Sequence, residues 1–342
     1  MRLFQPKLIA IAVVAAVAPF QVAAQLEEVL VTAQKREQNL QDVPIAISSV
    51  SEALINQTDA TDVTALIPIV PGLTGSQYGI ATNTWAIRGI SSNDWTIGSE
   101  PAVGVFFNDA YIGRNYFATS AFHDVLRVEV VKGPQGTLFG RNSAAGAISI
   151  VPNKPSDENE LNLGAQAGDE GQRRYDVVGN WAAADSLSFR LSYQGTRFEG
   201  LWEDVVNDDE TFRDSDAVRF MSRWSPSDNF EALLTLYYSK AESNYNSPYS
   251  IDLNVAESGE EYPDKFGLSL TDTPNNDEVE SEGIGLNLSW DISDSLLLTS
   301  ITDLRTADST YREDVDGSGD DAAIDAAFGG ITGGVTLLFD QK

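Results

Sequence analysis

Cysteine is absent from the 342 residues, and histidine occurs once, at His123. The first absence excludes a disulfide framework, a thiolate metal site and a cysteine nucleophile. The second leaves nothing from which to build a His-rich metal centre or a histidine proton relay. A Ser-His-Asp triad would depend wholly on His123, whose surroundings (Ala121-Phe-His-Asp-Val125) hold no nucleophile elbow. No catalytic residue is therefore assigned, and the chain is not read as an enzyme. Basic residues are scarce as well: 22 Lys+Arg stand against 51 Asp+Glu, a formal charge of −29. Nucleic acid is excluded as a partner, because its recognition needs clustered positive charge. No apolar run approaches the roughly 18 residues of a membrane-spanning helix. If the chain enters a membrane, it does so as strands.

What is present divides unevenly. Residues 1–155 hold 10 Lys+Arg and 12 Asp+Glu, a net of −2, whereas residues 156–342 hold 12 and 39, a net of −27. Residues 1–24 have the parts of a cleaved secretory signal peptide. Arg2 and Lys7 precede the apolar stretch Leu8–Ala18, Pro19 breaks it, and Val22-Ala23-Ala24 offers small residues for cleavage.

The acidic part alternates with period two. Leu187, Phe189, Leu191 and Tyr193 interleave with Ser188, Arg190, Ser192 and Gln194; Ile284, Leu286, Leu288, Trp290 and Ile292 interleave with Gly285, Asn287, Ser289 and Asp291. With Leu161–Ala167, Tyr175–Trp181, Val218–Trp224, Phe230–Tyr238 and Leu296–Leu304, the pattern predicts seven strands. At seven to nine residues, each approaches the 9–11 that a tilted strand needs to cross a bilayer. A repeat marks one end of the hairpins: Trp181-x3-Asp185-Ser186-Leu187, Trp224-x3-Asp228-Asn229-Phe230 and Trp290-x3-Asp294-Ser295-Leu296. The Asp-Ser/Asn pair makes a tight turn, and the Trp before it suits the boundary between lipid and water. The opposite strand ends are joined by long segments near 201–215, 242–278 and 311 onward. One-sided loop length is the asymmetry of an outer-membrane barrel facing lipid with its apolar residues. Glu203, Asp204, Asp208, Asp209, Glu210 and Asp214 are expected together in one external loop.

Residues 43–155 lack that pattern. Short apolar runs (Ile67–Val70, Val103–Phe107, Val125–Val131, Ala147–Val151) are cut by glycines, as in a compact α/β domain. Gly140 and Gly146 suggest backbone packed closely against a neighbour. Several runs here are specific: Glu28-Val-Leu-Val-Thr-Ala33, Asp42-Val-Pro-Ile45, Ile87-Arg-Gly89, Val103-Gly-Val105, and the long Val128-Glu-Val-Val-Lys132-Gly-Pro-Gln-Gly136-Thr-Leu-Phe-Gly140-Arg-Asn-Ser-Ala-Ala-Gly146-Ala-Ile148. Through them the sequence resembles the TonB-dependent receptors, plugged β-barrels of the Gram-negative outer membrane.

The resemblance implies an organisation. A signal peptide (1–24) precedes a periplasmic TonB-box segment (25–42), a plug domain (43–155) and the N-terminal part of a transmembrane barrel (156–342). It also implies about 22 barrel strands, of which seven are counted, so the chain is expected to be an N-terminal fragment. TonB would bind Glu28, Val29, Leu30, Val31, Thr32 and Ala33, an alternating segment able to add as a strand to a sheet edge. Arg88 and Glu129 match the family's plug–barrel interface charges, and Lys132 and Arg141 are candidates for the same interface. Plug apices near Gln77–Ala81 and Ser92–Ser99 offer Tyr78, Trp85 and Trp95 for stacking on a ligand. The implied function is energy-coupled uptake of a scarce ligand, a ferric siderophore first. Cobalamin, a carbohydrate, or ligand binding without transport are the alternatives. No cofactor is expected, apart from one candidate for Ca²⁺. Asp314, Asp316, Ser318, Asp320 and Asp325 have the spacing of an EF-hand loop, although Asp321 and Asp325 depart from its pattern and no helix precedes it.

Overall fold

The structure, a computed structural model, describes residues 30–32, 38–77, 79–80, 83–92, 100–114, 122–169, 171–204, 209–244, 268–269, 275–314 and 336–341. The first strands are β1 (Leu30–Val31), β2 (Gln38–Asn39) and β3 (Ala46–Ser51). Helix α1 (Glu52–Gln57) follows, its first turn capped by the Ser51 hydroxyl accepting from the Leu54 amide. Then come β4 (Leu73–Gln77), β5 (Asn83–Ile87), β6 (Val103–Phe107), β7 (Ala110–Ile112), β8 (Val125–Lys132), the short helix α2 (Gly136–Phe139) and β9 (Gly146–Pro152). Five of these strands make one sheet in the order β3-β8-β9-β6-β7, with β6 and β9 parallel. Its core gathers Leu66, Ile87, Val105, Val128, Val130, Ile148 and Ile150, all buried. The glycine reading holds at Gly146, where φ is +152° and a Cβ would meet the Val131 carbonyl and Ile87. Gly140 differs: its φ of +77° requires glycine, yet nothing lies within 4 Å of a Cβ there.

The second unit is a wall of long antiparallel strands. These are β10 (Glu160–Ala167), β11 (Arg173–Ala184), β12 (Leu187–Arg197), β14 (Asp209–Ser227), β15 (Phe230–Ser243), β17 (Asn276–Ser293), β18 (Leu296–Asp314) and β19 (Thr336–Gln341), in that order across the sheet. Two short strands, β13 (Glu199–Asp204) and β16 (Leu268–Ser269), flank its outer end. The period-two pattern sorts the faces. Val177, Trp181, Leu191, Trp224, Leu236, Ile284, Leu286 and Trp290 point outward and are exposed, as residues meeting lipid must be. Asn180, Ser188, Arg190, Ser192, Gln194, Arg219, Thr235 and Ser239 point inward and are buried, Arg190 and Arg219 against the plug.

All three Trp repeats end in two-residue turns, at 185–186, 228–229 and 294–295. Each turn is preceded by a register shift, between Ala182 and Ala184, Trp224 and Ser227, and Asp291 and Ser293. The repeat therefore encodes a bulge plus a turn, a device of barrel rims.

Two expectations are corrected. The wall has eight strands among the described residues, because β19 pairs with the end of β18 from Ser309 to Asp314. The strands are also longer than the alternation indicated: β14 and β18 each have 19 residues and β17 has 18. Asp209, Glu210 and Asp214 thus lie within β14 rather than in a loop. Apolar alternation stops where lipid stops, but backbone pairing continues into water with polar side chains.

Candidate functional site at the seam between plug and wall

In the central ion pairs where the two units meet, the wall contributes the bases and the plug the acids. The sequence reason is the pleat. With Leu187, Phe189 and Leu191 facing lipid, Arg190 must face inward; by the same rule so must Arg174, Arg213, Arg219 and Arg223.

The centre of the seam is a clamp on Asp124. Arg190 donates from Nε to Asp124 Oδ2 (2.7 Å) and from Nη2 to Oδ1 (2.6 Å). Arg219 Nη2 donates to the backbone carbonyls of His123 (2.6 Å) and Asp124 (2.8 Å) and lies 3.8 Å from Asp124 Oδ2. Its guanidinium also sits 5.2 Å over the Phe107 ring. The three side chains are 4% (Asp124), 8% (Arg190) and 1% (Arg219) exposed. Burial pushes the Asp124 carboxyl upward. The Arg190 hydrogen bond and the Arg219 charge outweigh it and hold the group below the ordinary value of 3.8. The clamp is therefore fully charged at neutral pH.

Above it, Arg174 Nη1 meets Asp59 Oδ1 at 2.5 Å and Arg213 Nη2 meets Asp62 Oδ2 at 3.2 Å. The apex of the plug is fastened too. Ile80 packs with Ala241 and Val279, and its amide donates to the buried Asp277 carboxylate of β17. Below, Arg223 pairs with Asp157 and Lys154 with Glu231, while the Asn180 side chain ties to the backbone of Ser156 and Glu158.

The N-terminal strand has its own anchorage. β1 pairs with β2, and Val31 is buried. The Thr32 amide donates to Glu129 Oε1 (2.8 Å) and the Thr32 hydroxyl reaches the same oxygen (3.2 Å). Arg127 Nε closes the cluster at 2.7 Å from Glu129.

The residues singled out in the sequence fall differently. The bonds of Glu129 run to Thr32 and Arg127, inside the plug and its leader rather than across the seam. Its strand explains this: β8 is central in the plug sheet, between β3 and β9. Arg141 pairs with Glu100 on the plug surface, at 75% and 54% exposure, a contact of small energetic weight. Arg88 is exposed in a turn with φ of +54°. Lys132, at the end of β8, is held below its ordinary pKa by burial and by the Arg88 charge. None of these four makes a described bond to the wall. Trp85 is buried in the plug core beside Ile87 and presents no face to a ligand. Tyr78, Trp95, Glu28, Val29 and Ala33 lie outside the described residues, as do residues 1–24. So do Asp316, Ser318, Asp320 and Asp325; Asp314 is described only as the backbone end of β18. The seam residues went unrecognised as a set, although the inward positions of the arginines were readable from the alternation.

Residues 39–147 match the TonB-dependent Receptor Plug Domain. Over that stretch, about a third of the chain, the sequence is similar to the plug of the TonB-dependent receptors. Among curated relatives, the Vitamin B12 transporter BtuB of Photobacterium profundum is 25% identical over 284 residues, covering 80% of the chain and 45% of BtuB. The catecholate siderophore receptor Fiu of Escherichia coli K12 is 27% identical over 174 residues, 49% of the chain and 21% of Fiu. Among solved structures, the ferric yersiniabactin uptake receptor FyuA of Yersinia pestis superposes with a TM-score of 0.69 at 18% identity, over 78% of the chain and 42% of FyuA. That likeness carries the fold: plug first, then barrel strands. The chain spans less than half the length of these relatives, all of which are named as transporters or receptors.

Proposed function

We propose that the chain is the plug-bearing part of a Gram-negative outer-membrane importer. In this reading it is exported by the signal at residues 1–24 and coupled to TonB through Glu28–Ala33, and it takes up a ferric siderophore. The observation that carries the reading is the pairing of a plug with a lipid-facing wall, and of a short N-terminal strand with a single buried carboxylate on that plug. A two-residue strand held by its short pairing with β2 and by two bonds from Thr32 to one carboxylate oxygen can be displaced by a competing sheet edge, which is the geometry strand addition uses. Siderophore is preferred because Fiu, FyuA and the Pseudomonas aeruginosa ferripyoverdine receptor are named for such ligands. Cobalamin is the second reading, favoured by the 80% coverage of the chain by the B12 transporter.

The test is deletion of residues 28–33 in the full-length receptor, with ligand uptake and ligand binding measured side by side. Lost uptake with retained binding is the expected result. Unchanged uptake refutes the coupling. Binding without uptake in the unaltered receptor would mean a receptor that does not transport. Competition between a ferric siderophore, cobalamin and a carbohydrate for the same site selects the ligand.

A further inference from the structure

Three pairings in the wall have their register fixed by a tight turn: β11–β12, β14–β15 and β17–β18 each close through two residues. Two others lack that constraint. β12 reaches β14 through residues 198–208, and β15 reaches β17 through 244–275. In these pairings the alternation of the faces forbids a slip of one residue. It does not forbid a slip of two, which returns every side chain to its own face.

Each of these two pairings carries a tyrosine lying over a glycine. On the inward face, Tyr237 of β15 is the register partner of Gly283 of β17. A Cβ at position 283 would collide with the Tyr237 hydroxyl and lie 2.7 Å from the Leu304 carbonyl oxygen, so the ring crosses β17 over bare backbone. Beyond β17 the hydroxyl accepts from Arg305 Nε and donates to Asp303 Oδ1 at 3.3 Å, both on β18. The Arg305 guanidinium stands 4.8 Å from the ring centroid. On the outward face, Tyr193 lies over Gly195 of its own strand, where a Cβ would meet the tyrosine hydroxyl and Asp216. Gly195 is the register partner of Asp216, and Tyr193 donates to Asp216 Oδ1 at 2.7 Å across the β12–β14 pairing.

We propose that the two tyrosine–glycine joints are register keys, which select the observed alignment of β15 with the β17–β18 hairpin and of β12 with β14 as the wall assembles. Sliding the hairpin two residues one way places Ser281 beneath the Tyr237 ring, with a Cβ in its path. Sliding it the other way places Gly285 there, but Asp303 then stands opposite in place of Arg305, and the hydroxyl loses its cationic donor. At β12, a slip that sets Val218 opposite Gly195 removes the acceptor of Tyr193. The plug depends on the first key. Phe107 lies 6.5 Å from the Tyr237 ring, and Asn287 of β17 donates to the Asn108 carbonyl at 3.0 Å. A slipped wall would offer the β6–β7 turn of the plug a displaced seat. The keys do not rest on the import reading.

The test reads register by disulfide cross-linking in the full-length receptor, with any cysteine beyond residue 342 replaced, refolded into phospholipid vesicles and oxidised with copper phenanthroline. Leu236→Cys with Ile284→Cys reports the observed alignment, and Leu236→Cys with Glu282→Cys or with Leu286→Cys reports the two slips. Leu286→Cys with Thr302→Cys, inside the tight-turned hairpin, is the control. The observed pair should dominate in the parent. Tyr237→Leu should raise the ratio of slipped to observed cross-link about tenfold, the weight of a hydrogen bond to a charged group. Gly283→Ala should raise it in the same direction, and the control should not change. Tyr237→Phe keeps the ring over Gly283 and loses only the hydroxyl, so it should fall between the parent and Tyr237→Leu. Leu191→Cys with Phe220→Cys or with Val218→Cys repeats the comparison for Tyr193→Leu, should the Tyr237 variants fail to fold. An unchanged ratio in both Tyr237→Leu and Tyr193→Leu overturns the proposal. So does the loss of every cross-link, control included, in both variants, which would be general unfolding rather than a slip.

Discussion

Replacing Asp124 by Asn tests the seam most directly. Asn is nearly isosteric and tolerates the left-handed conformation at this position, where φ is +51°. The backbone carbonyls that bind Arg219 are therefore retained. What is lost is the only carboxylate within 4 Å of the Arg219 guanidinium among the described residues, where Arg219 is 1% exposed, and the main partner of Arg190. Arg190 keeps Glu160 Oε2 at 3.1 Å, but Glu160 is 40% exposed and compensates weakly. Removing one member of a buried ion pair costs about 3–5 kcal/mol, because the remaining charge is left in a poor solvent. Arg141→Gln, which breaks the exposed pair with Glu100, should cost at most about 1 kcal/mol. The assay is hydrogen exchange of the β8 and β9 amides in the purified full-length receptor, read as the free energy of local opening. A cost for Asp124→Asn within 1 kcal/mol of that for Arg141→Gln would refute the assignment of the clamp. Adding Arg219→Met to Asp124→Asn should recover part of the loss, since the stranded charge is then removed.

The pH dependence has a definite sign. Asp124 is held below its ordinary 3.8 in the folded plug, so its contribution is complete above that value and is lost only as pH falls through the lower, folded value. Plug protection should be flat between about pH 5 and 8 and fall only in strong acid; a midpoint near neutrality would contradict the clamp. Glu129→Ala removes the acceptor of both Thr32 bonds, which to a charged group are worth roughly 1.5–3 kcal/mol. In a Val31→Cys background, where the side chain is buried and residues 1–342 hold no native cysteine, thiol labelling should then rise about tenfold or more. Equal labelling would mean that Glu129 does not hold the strand. Leu286→Arg on the lipid face should destabilise the wall by about 2–4 kcal/mol at mid-membrane depth, measured by urea unfolding in bilayers. The same change at the inward Gln194 should cost much less.

How much of this could be read in advance varies with the range of the interaction. The Trp-x3-Asp-Ser/Asn repeat is local, so its turns came out as expected; its bulge was hidden because one extra residue in seven leaves no compositional trace. The plug was legible through Val128–Ile148, a run whose glycines have individual backbone duties. Trp85 was misjudged as a ligand contact, although Asn83, Trp85 and Ile87 alternate as the buried face of β5. Asp124 could not have been picked from the sequence. It meets Arg190 and Arg219 across separations of 66 and 95 residues, and many exposed carboxylates look the same from the sequence. Glu129 looked like an interface charge, and only the order of strands in the plug sheet showed that it faces the leader instead.

The three bulge-and-turn rims also bear on how such a protein can change over evolutionary time. A two-residue turn that closes a bulged hairpin leaves no slack for inserted sequence: lengthening it would shift the register and turn lipid-facing residues inward. The outer connections carry no such constraint, and β14, β17 and β18 already extend past the bilayer at that end. Variation is thus channelled to the face that meets the environment. The opposite rim is kept short and uniform. A lineage built on this plan can acquire a new outer surface without disturbing the side on which its N-terminal strand is held.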